Sequence, residues 1–306
     1  SEEGRLLDCI LAHGLSRPHD TALQCGPVRL DWAGLRERVL SFAGAVSANG
    51  DRKPGRVALL GNTSADMVVA YLGTIAAGGS AVPLPLSAHA DAIAGMLEDC
   101  APEIVFADAE SRDLLRNIEP SRIVLVGSRG PGSFASFCEN TATLAAPALP
   151  APEAEFNIIY SSGTTGRAKG IVHSHAMRYR QAARSLFGIG PSSTMLLATP
   201  LYSNTTLMPL LATLFHGGRV ILMSKFDAEA YLDLAEREGA THTMLVPVQY
   251  QRILAAKSFP RRDLSSFKVK QCTGAPLAPM LKREIAQKWP GRFLDIFLIS
   301  VVSSRV

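Results

Sequence analysis

Phe156-Asn157-Ile158-Ile159-Tyr160-Ser161-Ser162-Gly163-Thr164-Thr165-Gly166-Arg167-Ala168-Lys169-Gly170-Ile171-Val172-His173-Ser174-His175 is the stretch that decides the fold. Its apolar start predicts a strand over 158–160, and Ile171 with Val172 predicts a second short strand. Between them lie four hydroxyl residues, Ser161, Ser162, Thr164 and Thr165, with the glycines Gly163, Gly166 and Gly170 and the cation Lys169. That set suits a polyphosphate: glycines let backbone N–H groups approach, Ser and Thr donate hydrogen bonds, and lysine supplies a compact positive charge. It is not a Walker A loop, which needs Gly-Lys-Ser/Thr opening a helix. Here Lys169 is followed by Gly170 and an apolar, strand-like pair. A polar surface turn would also be rich in Ser, Thr and Gly, but it would not require a lysine between two apolar strands.

Outward from this loop, short apolar β-branched runs at 57–60, 104–107, 123–126, 220–223 and 244–246 alternate with helical periodicity at 35–48, 91–98, 176–187, 228–238 and 278–288. Alternation of this kind predicts α/β layering with largely parallel sheets. Residues 143–155, rich in Ala and Pro, read as an extended surface linker directly before the loop. No internal repeat of fixed period is visible.

The chain has 306 residues, 47% hydrophobic and 19% charged, which excludes disorder, collagen and coiled coil as overall descriptions. At this length a core tends to divide into lobes. The charge sum of +4 is mild and spread along the chain, so it points to no nucleic acid or membrane surface. Five cysteines, Cys9, Cys25, Cys100, Cys138 and Cys272, form no CxxC pair and support neither zinc nor a disulfide framework. A reducing, cytoplasmic setting is the expectation, and the charged residues among 1–15 lack the pattern of a secretory signal. Residues 67–88 carry no formal charge and are long enough on paper to span a bilayer. Gly78-Gly79 and the prolines Pro83 and Pro85 interrupt them, so the expectation is a buried helix over 66–77, a glycine stop, and a buried strand over 81–85.

Residues 161–170 resemble the phosphate loop of the adenylate-forming (AMP-binding) superfamily, which includes acyl-CoA synthetases, peptide-synthetase adenylation domains and luciferases. Ala168 stands where that loop usually has proline, a change in backbone rigidity and not in donors. Residues 66–84 resemble the family's early helix-glycine-strand segment, Pro200-Leu201-Tyr202-Ser203 its Pro-Leu-aromatic-His segment, and Gly274-Ala275-Pro276-Leu277 its adenine-side turn. The resemblance is closest to the acyl-CoA synthetase branch and covers nearly the whole chain in the family's order.

The resemblance implies two stacked αβ lobes in a layered αβαβα arrangement with the substrate crevice between them. It implies a carboxylic acid–CoA ligase: the acid and ATP give an acyl-AMP and pyrophosphate, then coenzyme A takes the acyl group as a thioester. ATP, Mg2+ and CoA are the implied cofactors, and the implied partners are small molecules. Thr165 and Lys169 would be the catalytic groups, neutralising phosphate charge. Ser161, Ser162, Gly163, Thr164, Thr165, Gly166, Lys169, Gly170, Gly274, Ala275 and Pro276 would hold the nucleotide, and Tyr202, Ser203, Asn204 and Thr205 would line the acyl pocket. Ser203 replaces a histidine common at that place, so no imidazole is available there.

No metal ligands are assigned. His173 and His175 alternate along an expected strand and would face opposite ways, and His89, His216 and His242 are at no metal spacing. Arg178, Arg180 and Arg184 read as a solvated helix face, and Cys272 as buried packing. The family's aromatic-Gly-x-Thr-Glu segment is expected at Phe297, yet Leu298 and Val301 stand at the Gly and Glu positions. Residues 298–306 therefore read as a non-family ending, created by a reading-frame change or a premature gene boundary. The 306 residues resemble an incomplete large N-terminal domain without the C-terminal lid, expected to turn over weakly or not at all alone and to self-associate through an exposed crevice. Two rivals remain: a non-catalytic nucleotide- or acyl-binding protein, and a carrier-loading adenylation domain. The latter would need an acidic anchor after the Pro-Leu-aromatic segment, and residues 203–208 contain none.

Overall fold

The structure is a computed structural model that describes residues 2–48, 55–115, 118–119, 122–126, 133–139, 141–161, 169–184 and 187–296. Its strands are β1 (Thr21–Cys25), β2 (Val28–Asp31), β3 (Arg56–Leu60), β4 (Ser80–Pro83), β5 (Ile104–Asp108), β6 (Ile123–Val126), β7 (Glu155–Ser161), β8 (Lys169–Ser174), β9 (Thr194–Leu197), β10 (Arg219–Leu222), β11 (His242–Leu245), β12 (Val269–Cys272) and β13 (Arg292–Asp295). The helices are α1 (Leu6–Ser16), α2 (Trp32–Ala48), α3 (Ala65–Ala76), α4 (Ala90–Cys100), α5 (Phe134–Cys138), α6 (His175–Ala183), α7 (Asn204–Phe215), α8 (Ala228–Arg237), α9 (Pro247–Leu254) and α10 (Pro279–Lys288).

The period-2 alternation of side chains along these strands sets the layering. In β3, Val57 and Leu59 enter one core cluster and Ala58 and Leu60 another; in β5, Phe106 enters the first while Val105 and Ala107 enter the second. The other lobe repeats the pattern. Met195 and Leu197 of β9 and Val220 and Leu222 of β10 join the cluster of Val57 and Phe106, while Leu196 and Ile221 pack with Tyr231, Ile285 and Trp289 on the far side. Strands apolar on both faces need cover on both faces, which a parallel sheet between helices supplies. The central cluster also takes in residues of α1, α2, α3 and α7, so those helices lie between the two sheets. Helix α4 covers the outside of one sheet, and α8, α9 and α10 cover the outside of the other. The result is the layered αβαβα arrangement that the family resemblance implies.

One sheet has six strands in the order β6-β5-β3-β4-β7-β8, parallel except for the antiparallel β7–β8 pair. The other has seven in the order β13-β12-β11-β9-β10-β1-β2, parallel except for β1–β2. Parallel strands bring their carboxyl ends to one edge, where ligands bind in open α/β sheets.

Local chemistry explains several boundaries. Ser64 caps α3 by accepting the N–H of Met67, the helix stops at Ala76, and Gly78 takes a left-handed φ of +84° before β4 begins. The charge-free stretch at 67–88 is therefore helix, turn and strand, and among the described residues no helix is long and apolar enough to cross a membrane. Residues 143–154 form neither helix nor strand, bend at 145–146 and turn at 152–153, and are tied down: the Leu144 N–H donates to Leu40 O at 3.2 Å and the Ala148 N–H to Ala76 O at 2.7 Å. They bring the chain to β7 across the surface of α2 and α3.

Candidate functional site

Strands β7 and β8 form a hairpin whose register pairs Ser161 with Lys169 and Tyr160 with Gly170. The first and last loop residues thus face each other across the base of the turn, and Lys169 is exposed there. Ser162, Gly163, Thr164, Thr165 and Gly166 fall in 162–168, outside the described residues. A Cβ on Gly170 would stand 2.9 Å from Ile158 Cγ2 and 3.2 Å from the Tyr160 ring, so the absence of a side chain lets these two lie across the strand. Tyr160 is fixed in turn by its hydroxyl, which donates to Asp99 Oδ2 at 2.6 Å and also lies 3.1 Å from Met96 O.

The carboxyl edges of the two sheets meet at the segment after β9. The backbone N–H of Leu201 donates to Thr63 Oγ1 at 3.0 Å, and Thr63 follows the end of β3. The Tyr202 hydroxyl lies 3.5 Å from Ser87 Oγ, just beyond β4. Strand β7 runs parallel to β4, so Ser161 emerges on that same edge. Gly274, Ala275 and Pro276 follow β12, two strands from β9 in the order β12-β11-β9, a lateral distance of about 10 Å. Gly274 has φ +88°, a left-handed conformation that favours glycine, and a Cβ there would meet Val246 Cγ1 at 3.1 Å.

Ser203 is the N-cap of α7, its Oγ accepting the Thr205 N–H at 3.2 Å. The hydroxyl that stands in the histidine position thus serves the helix start. Thr205 is buried, and Thr206 donates to Thr199 O at 2.8 Å, fastening the helix to the end of β9. Asn204 is half-buried, with its Oδ1 2.8 Å from Arg178 Nη1.

Arg178 corrects the expectation of a solvated arginine face. Arg180 and Arg184 are exposed, but Arg178 is 1% exposed and enclosed between β7, α6 and α7. Its Nε donates to Asn157 Oδ1 and its Nη1 to Gln181 Oε1 and Asn204 Oδ1, each at 2.8 Å. No carboxylate pairs with it among the described residues, and its Nη2 has no hydrogen-bond partner there. Burial pushes its pKa down, while the buried Tyr71 hydroxyl acts the other way. Burial and the Arg178 charge together push His173 down to about 4, so its ring is neutral near pH 7. The sequence held one sign of this: Ala182, also buried, is one helical turn beyond Arg178, whereas Arg180 and Arg184 share another face.

His175 also departs from its expected place on a strand: it is the first residue of α6, buried against Phe156 with ring centroids 4.9 Å apart. His216 Nε2 lies 3.0 Å from Ala182 O and His242 Nε2 2.9 Å from Phe187 O, tertiary ties in both cases. Cys272 is buried, and burial pushes its thiol up to about 12. Among the described residues no group of three His, Cys, Asp or Glu could hold a metal ion. Phe297 and the tail lie outside the described residues.

The sequence profile of the AMP-binding enzymes matches residues 12–297. The chain is 28% identical over 307 aligned positions to a 3-hydroxybenzoate–CoA/4-hydroxybenzoate–CoA ligase of Thauera aromatica, covering 95% of this chain and 56% of that one. It is 32% identical to a feruloyl-CoA synthase of an Amycolatopsis species over 85% of this chain and 52% of the relative. The chain thus spans about half the length of the curated relatives it matches. The crystal structure of ATP-bound MatB from Rhodopseudomonas palustris superimposes with a TM-score of 0.86 at 27% identity, over 95% of this chain and 59% of that one.

Proposed function

The chain belongs to the AMP-binding enzyme family, and from that premise we propose that it carries the nucleotide and acyl sites of an ATP-dependent ligase joining a carboxylic acid to coenzyme A. The aromatic acids named for its relatives make an aromatic acid the first candidate. The observation that carries the reading is the junction of the two carboxyl edges. The Tyr202–Thr205 segment follows the Leu201–Thr63 and Tyr202–Ser87 contacts at that junction, and the Ser161/Lys169 hairpin opens from β7, the strand beside β4, which supports the reading of one shared site.

In this reading an oxygen of the acid's carboxylate attacks the α-phosphorus of ATP. The bond to the bridging oxygen breaks, and pyrophosphate leaves with that electron pair. The chain's task is to hold the reactants in line and to offset the charge that gathers on the departing phosphates. Lys169 and the hydroxyls of Ser162, Thr164 and Thr165 have the chemistry for it, and no acid–base pair is required. Gly274, Ala275 and Pro276 offer backbone against which a flat adenine can lie. The thiol of CoA then takes the acyl carbon, AMP leaves, and the thiol proton passes to solvent. A carrier-loading role ranks lower, since residues 203–208 provide no acidic anchor for an amino group.

Titration calorimetry with ATP, and with an aroyl-sulfamoyl adenosine that mimics the adenylate, tests this reading. Competitive one-to-one binding of the two supports a shared site. Failure of both to bind removes the proposal.

A further inference from the structure

Arg178 presents a problem of charge. A guanidinium buried to 1% exposure without a carboxylate among the described residues is costly, and an apolar side chain of similar size would avoid the desolvation. Its surroundings answer the charge in one consistent way. Guanidinium has N–H donors and no acceptor, so each partner must turn an oxygen toward it. Asn157, Gln181 and Asn204 all do so, at 2.8 Å.

A primary amide has two ends, and fixing the oxygen fixes the nitrogen. At Asn157 the consequence is visible: with Oδ1 held by Arg178, Nδ2 points to His173 Nδ1 at 3.5 Å, and that imidazole is neutral and able to accept. At Asn204 the same logic operates at the first residue of α7. Its Oδ1 is held by the buried guanidinium, so its Nδ2, the other end of the same amide, is turned away from Arg178 and donates to no described residue; Asn204 itself is half-buried and directly follows Tyr202 and Ser203 in the chain.

We infer that Arg178 is a positioning residue that locks Asn204 as a hydrogen-bond donor in the acyl pocket, so that this pocket selects carboxylic acids presenting a hydrogen-bond acceptor at Asn204. The inference rests on the proposal that Tyr202–Thr205 line that pocket. It gives the segment a polar recognition group where serine has replaced an imidazole. The acceptor is an oxygen of the acid, either the acyl oxygen itself or a ring substituent such as a hydroxyl.

Asn204→Asp separates recognition from structure. A carboxylate keeps an oxygen for Arg178 and adds an opposite charge, so the fold is retained or gains stability, but the N–H donor is gone. Binding to the 306-residue protein is measured for AMP, benzoyl-sulfamoyl adenosine and 4-hydroxybenzoyl-sulfamoyl adenosine. The expected result is unchanged AMP affinity, an unchanged or raised Tm, and about a tenfold loss for an acyl analogue, the worth of one lost hydrogen bond. Loss for both analogues identifies the acyl oxygen as the acceptor; loss for the hydroxylated one alone identifies the ring substituent. Arg178→Met, which frees the amide to flip, should shrink the same preference, and if it fails to fold Asn204→Asp still decides. If wild type binds neither analogue, the acyl-pocket proposal fails. If wild type binds them and Asn204→Asp binds them equally well, the positioning role alone is overturned.

Discussion

The backbone N–H of Leu201 donates to the Oγ1 of Thr63 at 3.0 Å, joining the segment after β9 in one sheet to the segment after β3 in the other. Both groups are buried, and the bond holds the two carboxyl edges in contact where the candidate site lies. Thr63→Val keeps the shape and removes the acceptor, leaving a buried N–H without its partner. We expect a stability loss of about 1–3 kcal/mol, read from chemical denaturation, with weaker ATP binding. An unchanged midpoint and unchanged affinity would show that the bond positions nothing.

Lys169 stands at the base of the hairpin loop opposite Ser161, exposed and able to meet a phosphate. Lys169→Ala should weaken ATP or pyrophosphate binding by about tenfold or more, the scale of a hydrogen bond to a charged group. Arg167→Ala, in the same loop, should weaken it less. Calorimetry giving the reverse order would move the phosphate contact to Arg167.

Two left-handed glycines separate architecture from site. At Gly291, φ +89°, a Cβ would stand 2.4 Å from Phe267 O, a backbone atom that cannot turn aside. At Gly274, φ +88°, the nearest contact is a valine methyl at 3.1 Å. Gly291→Ala should therefore cost more stability than Gly274→Ala, which pays mainly the left-handed strain of about 1–2 kcal/mol. Gly274→Ala should in addition reduce AMP affinity. Thermal melts ranking the two the other way would contradict this account of the turns.

Lys270 is a buried lysine with no carboxylate partner among the described residues, its Nζ donating to Pro290 O and Gly291 O at 2.6 Å. Burial pushes its pKa down to about 8. Between that value and the ordinary lysine value of about 10.4 the unfolded chain binds the proton and the folded chain does not, so the contribution of Lys270 to stability rises with pH. Below pH 8 both states are protonated and the burial penalty is fully present. Compared with Lys270→Met, the wild type should gain stability from pH 8 to pH 10, by at most about 1.4 kcal/mol per pH unit. Parallel pH profiles for the two proteins would place the lysine pKa at its ordinary value.

Periodicity made much of the scaffold legible. The runs at 57–60, 104–107 and 123–126 coincide with β3, β5 and β6 to within a residue, because strands buried on both faces are written as uninterrupted apolar β-branched runs. Strand β12 escaped that test, since Lys270 and Gln271 break the apolar run and their burial depends on tertiary contacts. Helix α7 was hidden by Pro209 in its interior and by the Ser-Asn-Thr-Thr start, which is an N-cap and first turn but reads equally as a loop. In the proposed site, Lys169 was marked by its place in a hydroxyl- and glycine-rich loop, while Tyr202 and Gly274 were marked only by their resemblance to family segments. Arg178 was not: a charge is read as solvent-facing, and only three amide oxygens from separate elements make its burial possible.

The most direct test of the central claim is competition calorimetry on the 306-residue protein, titrating ATP in the absence and presence of saturating 4-hydroxybenzoyl-sulfamoyl adenosine. The account predicts one ATP site per chain, abolished by the analogue and weakened by Lys169→Ala. ATP binding that survives saturation with the analogue, or no binding of either, would contradict it.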